Sequence, residues 1–265
     1  MTSDRPLESL QALRRRLHRL RPSRPIRDVR SALAFIEERG IVLSTGRSSL
    51  PSLAEAIAGR QLRGSWMANP EVFRIYKVLG KVHRSDAVVT APLILGKETL
   101  LDDTLGPAVA RIAGDPRRRN AAKASLPPLA KRLLADVEAH GEVRMDRWPA
   151  STTRGREARL WLERLLLVVS RDLHTEAGYH AALVTPWRKS RIAGRFGKKG
   201  SRLRFEEAQD QLIVAALKSA VIAPEREVQR WFVFGARRVD GLIHEGKLER
   251  VRSGRTAWLC FSVIR

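Results

Sequence analysis

Apolar residues recur at helical spacing through most of the chain, and short strand-like runs ending on glycine interrupt them. Leu7, Leu10, Leu13, Leu17 and Leu20 repeat every three or four residues, with Arg14, Arg15, Arg16, Arg19 and Arg21 between them. That spacing predicts an amphipathic basic helix, ended by Pro22 and Pro25. Val29, Leu33 and Ile36 predict a helix that stops at Gly40, and Ile41-Val42-Leu43 a short strand. Pro51 opens a helix through Leu53 and Ile57 to Gly59. Asn69-Pro70 caps a helix whose apolar face is Val72, Ile75, Tyr76 and Leu79. Ala87–Ala91 and Lys97–Leu101 predict a hairpin turning at Leu95-Gly96, and Asp102, Asp103 and Thr104 cap a helix bearing Leu105, Val109 and Ile112.

This order recurs downstream. Leu129, Leu133, Leu134 and Val137 predict a helix stopped by Gly141, and Ser151 or Thr152 caps a second with Leu160, Leu162 and Leu165 inward. Leu166–His174 and Tyr179–Thr185 follow as strands. Phe205, Ala208, Leu212, Ala216 and Ala220 mark a third opening helix, Pro224 starts another through Val228, and Ala236–Gly246 forms the next. Lys247–Val251 and Thr256–Val263 then pair across Arg252-Ser253-Gly254-Arg255. Helices followed by a hairpin are the plan of a winged helix-turn-helix. The expected fold class is therefore α+β, with three tandem winged helix-turn-helix modules at 27–115, 127–186 and 205–265 after a basic arm at 1–26. The basic stretches at 115–128 and 187–204, rich in proline and glycine respectively, read as linkers, the second as a flexible strap along a polyanion.

Charge turns this fold towards nucleic acid. The chain has 50 Lys and Arg against 28 Asp and Glu, a net charge of +22. Arginine-rich codon usage raises the basic count but leaves acids to balance it, and here they do not. Such a surplus is the footprint of a polyanion partner. The single Cys260 excludes an internal disulfide framework and a Cys-cluster zinc site. No apolar run reaches the ~18 residues of a membrane span, and the N-terminus lacks the apolar core of a signal peptide. A cytoplasmic, nucleoid-associated protein is expected, with no cofactor, no metal and no membrane partner.

Catalytic constellations are sparse. Gly194-Arg195-Phe196-Gly197-Lys198-Lys199 does not fit the phosphate-loop pattern. The six histidines contain no i, i+4 ligand pair, although His174 and His180 flank one hairpin. Asp102-Asp103 reads as capping, Gln209-Asp210-Gln211 lies on a helix with its two amides ~200° apart, and no Ser-His-Asp or Cys-His set stands out. The candidate residues are instead contacts to double-stranded DNA, whether intact, damaged or branched. The major groove admits one helix, and a wing tip reaches phosphates. The candidates are Arg237, Arg238, His244, Arg252 and Arg255 in the third module. The second offers Arg154, Arg156, Arg159 and Arg164, and the basic strap Arg195, Lys198 and Lys199. Arg74, Lys77, Lys81 and Arg84 serve the first. Glu176 makes the second wing tip a poorer phosphate contact. Trp66, in a loop after Gly64-Ser65, is a candidate binding aromatic, whereas Trp161 and Trp231 read as core.

Leu50-Pro51-Ser52-Leu53-Ala54-Glu55-Ala56-Ile57, Gly64-Ser65-Trp66, Val88-Val89-Thr90 and Gly96-Lys97-Glu98-Thr99 together resemble the winged-helix superfamily of bacterial crosslink-repair and alkylpurine DNA glycosylases. Arg156–Leu166 resembles that family's Arg-rich helix leading into a wing. The resemblance implies recognition of a damaged nucleotide and hydrolysis of its N-glycosidic bond by a Gln-x-Gln pair in the first module. This chain lacks that pair there: its one glutamine between 27 and 115 is Gln61. No catalytic residue is assigned, and two readings stay open: a DNA-binding protein without catalysis, or a glycosylase using another acid, amide or water-positioning residue. A third class, RNA or membrane-surface binding through the Arg-rich leader, is separated from these by deleting residues 1–26.

Overall fold

The computed structural model describes residues 5–20, 25–46, 48–150, 153–174 and 180–262. In chain order its helices and strands are α1 (Arg5–Leu17), α2 (Val29–Arg39), β1 (Ile41–Leu43), α3 (Leu53–Ala58), α4 (Val72–Val82), β2 (Val88–Ile94), β3 (Lys97–Asp102), α5 (Gly106–Gly114), α6 (Pro116–Ala124), α7 (Pro128–His140) and β4 (Val143–Arg144). The chain continues with α8 (Thr153–Arg164), β5 (Val168–His174), β6 (His180–Pro186), α9 (Arg191–Gly200), α10 (Phe205–Ala220), β7 (Ile222–Pro224), α11 (Glu225–Trp231), α12 (Ala236–His244), β8 (Leu248–Ser253) and β9 (Thr256–Phe261). The fold is α+β. Three small antiparallel sheets, ordered β1-β3-β2, β4-β6-β5 and β7-β9-β8, repeat one topology: a short strand pairs with the outgoing strand of the hairpin that follows it.

The chain divides into two compact units. One combines Met1–Leu105 with Gln209–Arg265, and the other is Gly106–Ala208. In the first, Phe35 and Ile36 of α2, Leu53 and Ile57 of α3, Ile75, Val78 and Leu79 of α4 and Leu100 of β3 form a continuous apolar core. Asp28 caps α2 through the Ser31 N–H, and Ser52 caps α3 through the Glu55 N–H, so each helix begins where a short polar side chain satisfies its free donors. The β2–β3 turn uses Leu95 at φ 54° and Gly96 at φ 70°. Two consecutive left-handed residues suit a two-residue hairpin, since that turn follows the strands' twist.

Helix α1 meets the third sheet in this unit. Leu7 and Leu10 of α1 pack on Ile222, Val251, Trp258 and Cys260 of the third sheet, so the leader docks by its leucine face. Its arginine side is not wholly turned outward as a DNA surface, because Arg14 donates to the Ser48 carbonyl and burial lowers its pKa. His18 is buried and donates from Nε2 to the Ser219 carbonyl at 3.0 Å, and Ser219 Oγ donates to the Ile41 carbonyl at 2.5 Å. Leu95 N–H donates to the Trp231 carbonyl at 2.8 Å. The Glu227 carboxylate accepts from Ser48 Oγ, Ser49 N and Ser49 Oγ, all at 2.7 Å, and from Trp231 Nε1 at 3.1 Å.

In the second unit, Leu133, Leu134 and Val137 of α7 meet Trp148, Leu162 of α8, Leu167 and Val184 of β6. Both stretches expected as linkers are helical. Asp115 caps α6 by accepting from Arg118 N–H at 2.8 Å, and Pro116 opens the helix with its φ already set. The Arg118 guanidinium is buried under the Leu165 and Ala113 carbonyls, and burial with Arg119 alongside pushes its pKa down to about 10. The strap read over 187–204 is corrected more strongly. Ser190 caps α9, and Ile192, Phe196 and Gly200 face inward, with a Cβ at Gly200 only 2.7 Å from the Pro107 carbonyl oxygen. Glycine there allows the close helix approach. The proposed caps Ser151 and Thr152, and the Glu176 wing tip, lie outside the described residues.

Candidate nucleic-acid interface

In the second unit, α9 carries an exposed basic face. Arg191, Arg195, Lys198 and Lys199 are exposed, whereas Ile192 and Phe196 are buried. The predicted strap residues Arg195, Lys198 and Lys199 are thus brought together on one helix, and Arg195 also lies 4.7 Å from the Phe196 ring centroid. On α8, Arg156, Leu160 and Arg164 form one exposed stripe at i, i+4 and i+8, and Arg154 is exposed in the first turn. Arg159 is not part of it. Its guanidinium is 2.7 Å from the buried Glu163 carboxylate one turn on. Trp161, read as core from the sequence, is 45% exposed.

In the first unit, α12 exposes Arg237 and His244 opposite the buried Val239 and Leu242. Arg238 leaves that face. It grips Asp210 with two nitrogens and Glu245 at 2.7 Å, and these hydrogen bonds, Asp210 first, raise its pKa. The β8–β9 turn is Gly254-Arg255, with Gly254 at φ 55°, and it presents Arg252 and Arg255 to solvent. Arg250 beside them is paired with Glu225 at 2.5 and 2.8 Å. On α4, Lys77 and Lys81 are exposed, as is Arg84 just past its end, and Arg74 donates to the Ile57 carbonyl at 2.9 Å. Phe73 and Tyr76 on the same helix are 85% and 63% exposed, which corrects the expectation that Tyr76 faces the core. Trp66 packs partly buried against that core and lines a small pocket with Gly46, Glu55 and Ser65.

One constellation escaped sequence reading. Ser44 Oγ lies 3.2 Å from His83 Nε2, and the same nitrogen is 3.2 Å from Glu98 Oε2. Burial opposes the Glu98 charge, but His83 and the Ser44 hydroxyl outweigh it and hold the carboxyl below its ordinary range. Ser44 and Glu98 are brought together at the β1–β3 edge, and His83 arrives from the end of α4, a sequence separation that leaves no motif. The Gln209-Asp210-Gln211 match is structural: Gln209 is buried and donates to the Phe234 carbonyl at 2.8 Å. His174 and His180 are cross-strand partners in the β5–β6 ladder. Among the described residues no three His, Cys, Asp or Glu side chains are grouped to hold a metal ion, and no helix is long and apolar enough to cross a membrane.

No protein-family model matches the chain, and no curated protein matches it by sequence. The fold, however, is similar to that of a solved DNA glycosylase. That structure is AlkZ from Streptomyces sahachiroi, with a TM-score of 0.51 and 15% identity over 96% of this chain and 69% of the other.

Proposed function

We propose that this chain is a duplex-DNA-binding protein of DNA repair, built from three winged helix-turn-helix modules with α4, α8 and α12 as their groove-facing helices. The observation that carries this reading is the exposed cationic surface on those helices, on α9 and on the β8–β9 tip, in a chain of net charge +22. The AlkZ-like fold supports it from a second direction. Phosphate contacts release counterions, so affinity falls with a slope of about 0.9 per contact on a log-log plot against salt. Duplex affinity measured by anisotropy is expected to fall with a slope of about 5 or steeper. An Arg195→Ala, Lys198→Ala, Lys199→Ala triple variant is expected to reduce that slope by about 2 to 3. Absence of duplex binding at low salt, or an unchanged slope in the variant, overturns the reading.

A second reading, hydrolysis of an N-glycosidic bond, is favoured by the Ser44–His83–Glu98 cluster. An ionised carboxylate beside a hydroxyl and an imidazole is suited to orient a water and take its proton. Release of the base from alkylated duplex is then expected, with a loss of about 100-fold or more in Glu98→Gln. Release unchanged in that variant assigns the chemistry elsewhere, and no release from alkylated or crosslinked duplex leaves a binding protein.

A further inference from the structure

The second unit contains a cavity of about 510 Å³ between the end of α5, the start of α6, the turn at Trp187–Lys189 and α9. That volume is in the range of small-molecule sites, which are mostly apolar with a few polar groups that fix orientation. Three features show what it would hold. The first is its glycines. Gly114 and Gly197 line it, and a Cβ built on either meets nothing within 4 Å. Neither has a positive φ. Glycine inside a helix costs about 0.5–1 kcal/mol relative to alanine. Gly197 lies within α9 and Gly114 is the last residue of α5, and neither packs as Gly106 and Gly200 do, where a Cβ meets Phe196 and Pro107. Their effect is to keep a smooth wall, continued by Ala193, to which a flat ring can lie close.

The second feature is charge. Arg119 and Arg188 both reach the cavity. Arg119 shares its nearest carboxylate, Glu138 at 4.0 Å, with Lys123 at 2.9 Å, and Arg188 has no ion pair among the described residues. Burial and then the charge of Arg188 hold Arg119 below the ordinary guanidinium range against the pull of Glu138. Two arginines lining one opening, with Glu138 shared between Arg119 and Lys123, suit a phosphate. The third feature is that the remaining arginine is already occupied. Arg111 is held by Asp115 at 2.8 Å, by the Leu203 carbonyl at 2.9 Å and over the Phe205 ring, so it forms a fixed wall and leaves the phosphate to the other two.

We infer that this cavity binds one nucleotide unit, with its ring against the Gly114–Ala193–Gly197 wall and its phosphate between Arg119 and Arg188. The unit is either a free mononucleotide or the phosphorylated end of a DNA strand, which present the same chemistry. Gly197→Leu is the sharpest probe. A Cβ there meets nothing within 4 Å and the glycine is inside a helix, so the fold is expected to survive while the longer side chain projects into the opening. Calorimetric titration of the full chain with deoxyadenosine monophosphate is expected to give binding that Gly197→Leu weakens at least tenfold and that Arg188→Gln weakens severalfold. Inorganic phosphate alone is expected to bind more weakly than the nucleotide. In parallel, a short duplex with 5′-phosphate ends is compared with one bearing 5′-hydroxyl ends. A preference for phosphate ends that Gly197→Leu abolishes assigns the site to strand termini, and nucleotide binding without that preference assigns it to free nucleotide. If neither ligand binds, if phosphate binds as well as nucleotide, or if Gly197→Leu changes nothing while its melting temperature is unchanged, the assignment fails. Salt-dependent binding to the duplex interior is a separate readout and survives that failure.

Discussion

Glu227→Ala is expected to lower the unfolding free energy of the unit formed by Met1–Leu105 and Gln209–Arg265 by about 3 kcal/mol, and Glu227→Gln by about 1 kcal/mol. The carboxylate receives four hydrogen bonds, three of them from residues 48 and 49. Those residues lie 179 and 178 positions away from it in sequence. Burial alone opposes the charge, and the donors from Ser49, Ser48 and Trp231 overcome it to hold the carboxyl below its ordinary range. Truncation to alanine leaves the Ser49 N–H and the Trp231 indole without their acceptor. An amide is milder for a definable reason. Its carbonyl can take the Oε1 position and keep Ser48, Ser49 N–H and Trp231, and its N–H can then donate to the Ser49 hydroxyl, which turns to accept. What it loses is the extra strength of charge-assisted bonds. Denaturant midpoints followed by circular dichroism check the series. An alanine variant within about 0.5 kcal/mol of the parent would mean that the first and last thirds of the chain are joined mainly by apolar contact.

That joint is also where the sequence was least readable. Hairpins and helix ends were legible because glycine and proline punctuate them: Gly40, Gly59 and Gly141 each close a helix where expected, and Leu95-Gly96 turns the first hairpin. The meeting of Ser48 with Glu227, His18 with Ser219 and Leu95 with Trp231 depends on single polar groups far apart in the chain, which leave no periodic signal. Helices α6 and α9 were hidden by composition. Runs of arginine, lysine and glycine look like solvated linker, and the Asp115-Pro116 start and the Ile192/Phe196 pair are weak cues beside them. Candidate contacts fared according to their neighbours. Arg195, Lys198 and Lys199 share a face because helical spacing places them there. Arg238 and Arg159 are drawn into ion pairs by acids that only the fold, or one helical turn, brings near. Tyr76 was misplaced because one aromatic at helical spacing fits either face of α4, and Phe73 beside it marks the outward one.

Acid should weaken this protein before its carboxylates begin to protonate. His18 is buried and neutral, with burial first and the charge of Arg14 second pushing its pKa down to about 3. In the unfolded chain a histidine titrates near 6.5. Between those values the unfolded state binds one proton that the folded state refuses, so stability falls as pH falls. The loss approaches about 1.4 kcal/mol per pH unit, or roughly 2 kcal/mol between pH 6.5 and 5. Above pH 7 neither state is protonated and the term vanishes. Its location magnifies the consequence, because His18 hangs α1 on α10 through the Ser219 carbonyl and Ser219 in turn holds β1 at Ile41. A proton on the imidazole Nδ1 would place a buried charge beside those of Arg14 and Arg39, and the leader helix would release before the rest of the unit. Denaturation at pH 7 and pH 5 measures the effect, with His18→Gln as the control, since its amide N–H can still donate to the Ser219 carbonyl but cannot take a proton. The parent is expected to lose about 2 kcal/mol more than the variant over that interval. Equal losses in both would place the acid sensitivity in another histidine and remove His18 as the titrating link.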